Sequence, residues 1–292
     1  MLKNIGSYIG LGFVYLFSLL PFRVLFGISD VLYLLIYYVF KYRLKVVRSN
    51  IEGSFPEKSK VENIKIEKRF YRHFCDLLVE SIKLFNISEA SLKKRLVSEN
   101  PELLNAFFDD GKSVIAVCGH HNNWEFVGVG MPFLSKLSPQ GIYKKLTNQV
   151  LDQALLKSRN KYGTNAVEMR EAASMFQNLS KPSFMVFISD QSPSNVKNVV
   201  WVNFLNRETA VMVGAERFAV KYNIPVVFME LIKVKRGFYR AHFTTLTSEP
   251  KSLPPGEITK LHTQALEKLI KEKPEFWLWS HKRWKHQKPT TI

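Results

Sequence analysis

Cysteine is nearly absent. The chain of 292 residues has two, Cys75 and Cys118, too few for a disulfide scaffold. Both lie in apolar runs, where a free cysteine behaves as a small buried hydrophobe. Acidic residues are scarce as well, 25 Asp and Glu against 42 Lys and Arg, leaving a formal charge of +17. Such a surface seeks an anionic partner: nucleic acid, an anionic membrane face or an acidic protein. A mean hydropathy of −0.09 is too low for a polytopic membrane protein. The 13% aromatic content is too high for a disordered chain. There is no internal repeat, no low-complexity tract, no H-E-x-x-H zinc signature and no RNA-binding signature. No serine or cysteine stands in a recognised nucleophile elbow.

The N-terminus is where apolar residues collect. No charge occurs from Asn4 to Phe22, and Val31–Phe40 (VLYLLIYYVF) is apolar again before the cationic stretch Lys41–Arg48. No small-residue cleavage site marks a signal peptide. Ile5–Phe22 is marginal for a span of roughly 20 residues, and Pro21 and Arg23 break it. The expected element is an anchor, either one tilted span or two short helices re-entering one leaflet. Lys3 and the Lys41–Arg48 cluster would then lie on the cytoplasmic side. The alternative is a buried helical hairpin. The organisation expected is an anchor with its basic flank over residues 1–48 and one domain over 49–292.

Residues 61–86 read as an amphipathic helix with Phe70, Phe74, Leu77, Leu78, Ile82 and Phe85 on one stripe. Beyond Gly111 three short apolar runs read as buried strands: Ser113–Cys118, Phe184–Ser189 and Pro225–Ile232. Helical patterns over Gln149–Tyr162, Glu171–Leu179 and Thr209–Tyr222 alternate with them. That alternation predicts an α/β domain with a mostly parallel sheet. Phe238–Leu246 suits an added antiparallel strand and Glu257–Lys273 a last helix.

The sharpest local signal is Gly119-His-His-Asn-Asn-Trp-Glu125, directly after the first strand. Loops beyond the carboxyl ends of strands carry the ligands and catalytic groups of α/β folds. Four residues separate His120 from Glu125. A chain turning there into a helix lets the carboxylate fold back on the imidazole and fix its tautomer, leaving the other ring nitrogen as a general base. The reaction suggested is direct attack of a deprotonated hydroxyl on an activated acyl group. A metal site and a plain helix cap on Asn122 or Asn123 are the competing readings.

This block resembles the G-H-x-x-N-W-E block of the lipid A biosynthesis acyltransferases, late acyltransferases of the lysophospholipid acyltransferase superfamily. Four further segments resemble the family in order: Arg48-Ser-Asn-Ile-Glu…Phe55-Pro-Glu, Tyr143-Lys…Asn148…Leu151-Asp152, Ser189-Asp-Gln-Ser, and Pro274-Glu…Trp279-Ser-His-Lys-Arg-Trp-Lys285. The resemblance implies a mixed sheet flanked by helices, behind a hydrophobic anchor, at the bacterial inner membrane with the catalytic domain on the cytoplasmic side. It implies O-acyl transfer from acyl carrier protein, or less often acyl-CoA, to a lipid A precursor, with no covalent intermediate and no cofactor. His120 matches the family's base and Glu125 its relay partner.

Other residues are candidates for substrate binding. Asn123 belongs to the matched block. Lys144 and Asn148 belong to the second matched block, and the cations Lys144 and Arg170 suit phosphate, or are solvated surface charges. Asp190 and Gln191 would shape the site floor. Glu208 and Thr209 would open a helix whose N–H groups suit an oxyanion or phosphate, or would merely cap it. In the tail, Trp277, Trp279 and Trp284 alternate with Lys282, Arg283 and Lys285, a mixture suited to an anionic membrane surface. Nucleic acid is not expected. Acyl transfer to a lysophospholipid, amino-acid lipid or glycolipid is the alternative within the same chemistry, and a non-catalytic membrane-binding protein the alternative class.

Overall fold

A computed structural model describes residues 5–289, so Lys3 lies outside the described residues. Two N-terminal helices, α1 (Ile5–Leu19) and α2 (Phe22–Leu34), meet at Pro21, and α2 runs on as a π-helical turn over Leu35–Val39. Proline at the break is expected, since it lacks the N–H that would continue α1. Ser18 is the one buried residue of α1. The second helix buries Phe22, Leu25, Ser29 and Tyr33, while Val24, Val31 and Leu34 stay exposed. Among the described residues the segment long and apolar enough to cross a membrane is Phe22–Val39, 28% of it buried, and α1 is a shorter apolar helix.

Helix α3 (Leu44–Ser54) leads to α4 (Lys60–Leu84), the longest helix described. Ser59 opens α4 with a capping box on Glu62. Of the predicted stripe Phe70 and Leu77 are buried, while Phe74, Ile82 and Phe85 are half-buried and Leu78 is exposed; Tyr71, Cys75 and Val79 share the buried face. After α5 (Glu89–Arg95), β1 (Leu96–Ser98) and α6 (Pro101–Asp109) the alternating part begins. It comprises β2 (Val114–Cys118), α7 (Trp124–Gly130), β3 (Ser138–Tyr143), α8 (Gln149–Arg159), β4 (Asn165–Glu168), α9 (Ala172–Gln177) and β5 (Ser183–Ile188). A hairpin of β6 (Val199–Phe204) and β7 (Arg207–Met212) follows. Then come α10 (Gly214–Tyr222), β8 (Val226–Lys235), β9 (Phe238–Thr247) and α11 (Glu257–Glu272).

Seven strands form one sheet in the order β1-β9-β8-β2-β5-β3-β4. β2 pairs in parallel with both β5 and β8, and β8 with β9 is antiparallel. All five residues of β2 are buried. Val114, Ala116 and Cys118 join the core on one face, Ile115 and Val117 the core on the other, the two-residue alternation of a strand covered on both sides. The architecture is the mixed α/β one that the alternation predicts.

Two expectations are corrected. Thr209–Tyr222 is not one helix: Arg207–Met212 is a strand, and the helix starts at Gly214. Leu205 and Asn206, both at positive φ, make the two-residue turn that pairs β7 with β6. The tail is not a membrane-facing strip either. Trp277 and Trp279 are buried in the core beside Phe204 and Ile270, with Trp284 packed against them.

Candidate active site

β2 and β5 lie side by side in register, with Cys118 opposite Ile188. Two residues beyond each of these, past the carboxyl ends of both strands, stand His120 and Asp190. His120 Nδ1 lies 2.6 Å from Asp190 Oδ1, and the backbone N–H of His120 donates to Oδ2 at 2.8 Å. Trp277 Nε1 donates to Oδ2 from the tail at 2.7 Å. Asp190 is fully enclosed. Burial alone would push its carboxyl up, but the positive charge His120 can carry and the hydrogen bonds from His120 and Trp277 outweigh it and hold it down at about 2. An ionised Asp190 keeps the proton on Nδ1 and leaves Nε2 as the free base. Gln191 Nε2 is 3.1 Å from that nitrogen. Trp124 fixes the ring from the side, edge-on at 4.8 Å.

The tail straps this loop in place. Leu278 N donates to His120 O, Asn122 N donates to Phe276 O, and His121 bridges to Trp277. Asn122 takes a left-handed conformation and donates from its amide to Leu231 O at 2.6 Å. Gly119 is required for close approach: a Cβ there would stand 2.6 Å from Leu266 and 3.1 Å from Asp190 Oδ2. His121 is buried, with Nε2 at 3.1 Å from Lys273 O and Nδ1 facing the Asn122 amide. Burial pushes it down to about 4. With both ring nitrogens engaged, His121 is a structural neutral imidazole.

A cavity of about 600 Å³ opens beside His120 Nε2. Val127, Met131, Leu155, Val186 and Ile188 give it apolar walls; Glu125, Arg159 and Gln191 are polar groups on it. Such a chamber suits an aliphatic chain with a few placed polar groups at the reacting end. Cys118 also borders it, but burial pushes its thiol up, and Sγ–H points to Phe187 O. It is no nucleophile.

Glu125, expected on the imidazole, pairs with Arg159 of α8 instead, through contacts of 2.9, 3.0 and 3.3 Å. The carboxylate on the imidazole is Asp190. His120 and the Glu125–Arg159 pair border this chamber, and Asp190 lies off it, behind His120. Asn123 is the cap of α7: its Oδ1 accepts from Phe126 N and its amide donates to the buried Glu80 at 2.5 Å. Asn148 caps α8 and donates to Ser7 Oγ of α1. Lys144 and Arg170 border the cavity on its exposed side, the Arg170 side chain 92% exposed. Glu208 and Thr209 are on β7, not at a helix start. Glu208 pairs with Lys288, and buried Thr209 donates to Arg207 O and accepts from Trp284 Nε1. Neither borders the cavity. Arg159 and Trp277 are the site residues that sequence reasoning missed. No local spacing marks either one, because 34 and 87 residues separate them from their carboxylate partners.

The site is thus a histidine held by a buried aspartate at the edge of an apolar chamber, on an α/β domain. The chain belongs to the bacterial lipid A biosynthesis acyltransferase family, whose model matches residues 1–286. It is 21% identical over 281 residues to the lipid A biosynthesis palmitoleoyltransferase of Escherichia coli (strain K12), covering 96% of this chain and 90% of that one. The lipid A biosynthesis acyltransferase of Shigella flexneri is similar to the same degree. It is therefore an acyltransferase.

Proposed function

We propose that this enzyme moves a fatty acyl chain from acyl carrier protein onto a hydroxyl of a lipid A precursor, on the cytoplasmic side of the inner membrane. His120 Nε2 removes the proton of the acceptor hydroxyl as its oxygen attacks the thioester carbonyl carbon. The C–O bond forms and the C–S bond breaks. The imidazolium returns the proton to the departing thiolate, so the products are the new ester and a free thiol. Asp190 holds the tautomer and stabilises the imidazolium. The acceptor hydroxyl takes the place of the Gln191 amide at Nε2. The observation that carries this reading is the 2.6 Å contact of His120 Nδ1 with Asp190 beside the apolar chamber.

Glu125 acts through Arg159, whose guanidinium it holds at the chamber wall for the developing oxyanion or a substrate phosphate. Lys144 and Arg170 receive the anionic part of a substrate at the exposed side. The +17 surface steers the acidic carrier protein. Residues 1–48 hold the enzyme at the membrane, with the exposed apolar face of α2 turned to lipid.

The test incubates the purified chain in detergent with labelled acyl carrier protein and a lipid A precursor, and reads the products by mass. One added acyl chain on the precursor is expected, and none with His120→Ala. Transfer to lysophospholipid in place of the precursor overturns the acceptor. No transfer to either overturns the reading.

A further inference from the structure

Arg283 is 3% exposed, yet no carboxylate lies within 4.0 Å of its guanidinium among the described residues. Its one hydrogen bond runs from Nη2 to Ala210 O at 2.8 Å, and its Nε–H has no protein acceptor. An unpaired buried cation is expensive, so this one must be compensated from a short distance away. The acid that faces it is Asp190. Both residues border a small void of about 10 Å³, together with His262 and Thr263. That is room for about one water. His262 Nε2 also lacks a partner there, and burial pushes His262 down to about 4, so it is neutral. Asp190 Oδ1, bonded to His120 alone, keeps a lone pair to spare.

We propose that Arg283 is the counter-charge of Asp190, relayed through one water held in this void, and that it is a positioning residue which sets the basicity of His120. The inference rests on the His120–Asp190 reading above. The water accepts from Arg283 Nε–H and donates to Asp190, and His262 Nε2 takes part as donor or acceptor. Burial brings Arg283 down to about 10, so it stays charged throughout the working range. With Asp190 ionised and Arg283 charged, the resting cluster is neutral. A proton on His120 then makes it net positive, so Arg283 disfavours the imidazolium. More of the enzyme holds its base free at low pH.

Other titratable groups face the same carboxylate. Cys118 and His121 face it from the β2 side, His262 from α11 and His281 from the tail. His281 accepts from Ser192 N through Nε2, and Lys285 faces it in turn. Burial pushes each of the three histidines down and the thiol up, which disfavours the charged form of each. Across the main cavity stand the Glu125–Arg159 pair, Lys144 and Arg170.

The experiment is the pH profile of kcat/KM for full-length enzyme in detergent with acyl carrier protein as donor. Arg283→Gln and Arg283→Met remove the charge, and Arg283→Lys keeps it. Both neutral variants are expected to move the acidic limb to higher pH, by about 0.5–1 unit. Asp190→Asn should move it the opposite way, and the lysine variant should leave it in place. A lowered plateau with an unmoved limb in the neutral variants makes Arg283 merely structural and overturns the proposal. Melting curves accompany each variant. If both neutral variants fail to fold, the lysine variant decides: a displaced limb despite retained charge is the overturning result, and an unmoved limb with near-normal turnover the supporting one. The dyad reading fails separately, on full activity of Asp190→Asn.

Discussion

His120 and Asp190 each stand two residues past a registered pair of strand ends, Cys118 on β2 and Ile188 on β5. Seventy residues apart in sequence, they meet at 2.6 Å because the chain crosses from β2 through β3 and β4 before β5 returns to lie beside β2. The sheet order, not a local turn, builds the dyad.

Removing the methylene-free space at Gly119 tests how tightly that dyad is set. In Gly119→Ala the new Cβ displaces Leu266 or Asp190, and the His120 N to Asp190 bond must lengthen. Turnover should fall by about 10–100-fold, with a stability loss of roughly 1–3 kcal/mol from overpacking. Steady-state kinetics and a melting curve check both. Unchanged kcat with a normal melting temperature contradicts the geometry.

Asp190 should leave a mark on stability at acid pH. Its folded value of about 2 lies below the ordinary 3.8, so its ionised form stabilises the fold above pH 4 by about 2 kcal/mol. That contribution is lost as pH falls from about 4 to about 2. The stability gap between the wild type and Asp190→Asn in urea should therefore narrow over this window. A gap that is constant with pH contradicts it.

Glu80 should act with the opposite sign. It lies behind the loop, accepting from Asn123 and from Tyr239 OH at 2.7 Å, and burial pushes it up to about 7 from an ordinary 4.5. The folded state binds the extra proton, so stability falls as pH rises from about 4.5 to about 7, by about 3 kcal/mol. Glu80→Gln mimics the protonated form. It should match the wild type near pH 4.5 and exceed it at pH 8, as measured by urea unfolding. Equal stability at both pH values sinks this.

The N-terminal helices should differ in how far they can be trimmed. Removing residues 1–20 takes α1, of which only Ser18 is buried, and should leave the fold standing. Removing residues 1–40 also takes Phe22, Tyr33 and Tyr37 out of the two main cores, and the buried Leu25 with them. At roughly 1.5–3 kcal/mol for each large side chain, that loss should unfold the domain. Limited proteolysis of both truncations reads the difference. A stable 1–40 deletion would make residues 1–48 a separable anchor.

Much of the fold was legible because the signals were periodic and local. Three apolar runs after Gly111 are strands, and the Phe70–Leu77 stripe is one face of α4. Glycine, tandem histidines and asparagines after a buried strand mark the loop that carries His120 to Asp190. The hairpin was hidden. In Thr209–Tyr222 the residues Ala210, Val213, Ala215 and Phe218 fall near helical spacing, and the turn at Leu205-Asn206 lacks the glycine that announces such turns. Leu205 holds a left-handed backbone there with its side chain wholly buried. The tail misled for a different reason. Tryptophans beside lysines suit a lipid surface, and only packing against Phe204 shows that Trp277 is core and a donor to Asp190. The carboxylate on His120 was misassigned because Glu125 is near in sequence while Asp190 is near in space.

The most direct measurement of the central claim is a pair of double-mutant cycles on single-turnover acyl transfer, with Asp190→Asn and Glu125→Gln each combined with His120→Ala. Singly, Asp190→Asn should cost about 10²–10⁴-fold. In the His120→Ala background it should cost almost nothing further, because Asp190 works through the imidazole. Glu125→Gln works through Arg159, so its loss should persist in that background. The reverse pattern, with Glu125→Gln silent and Asp190→Asn still costly once His120 is gone, would make Glu125 the partner of the base and contradict the account.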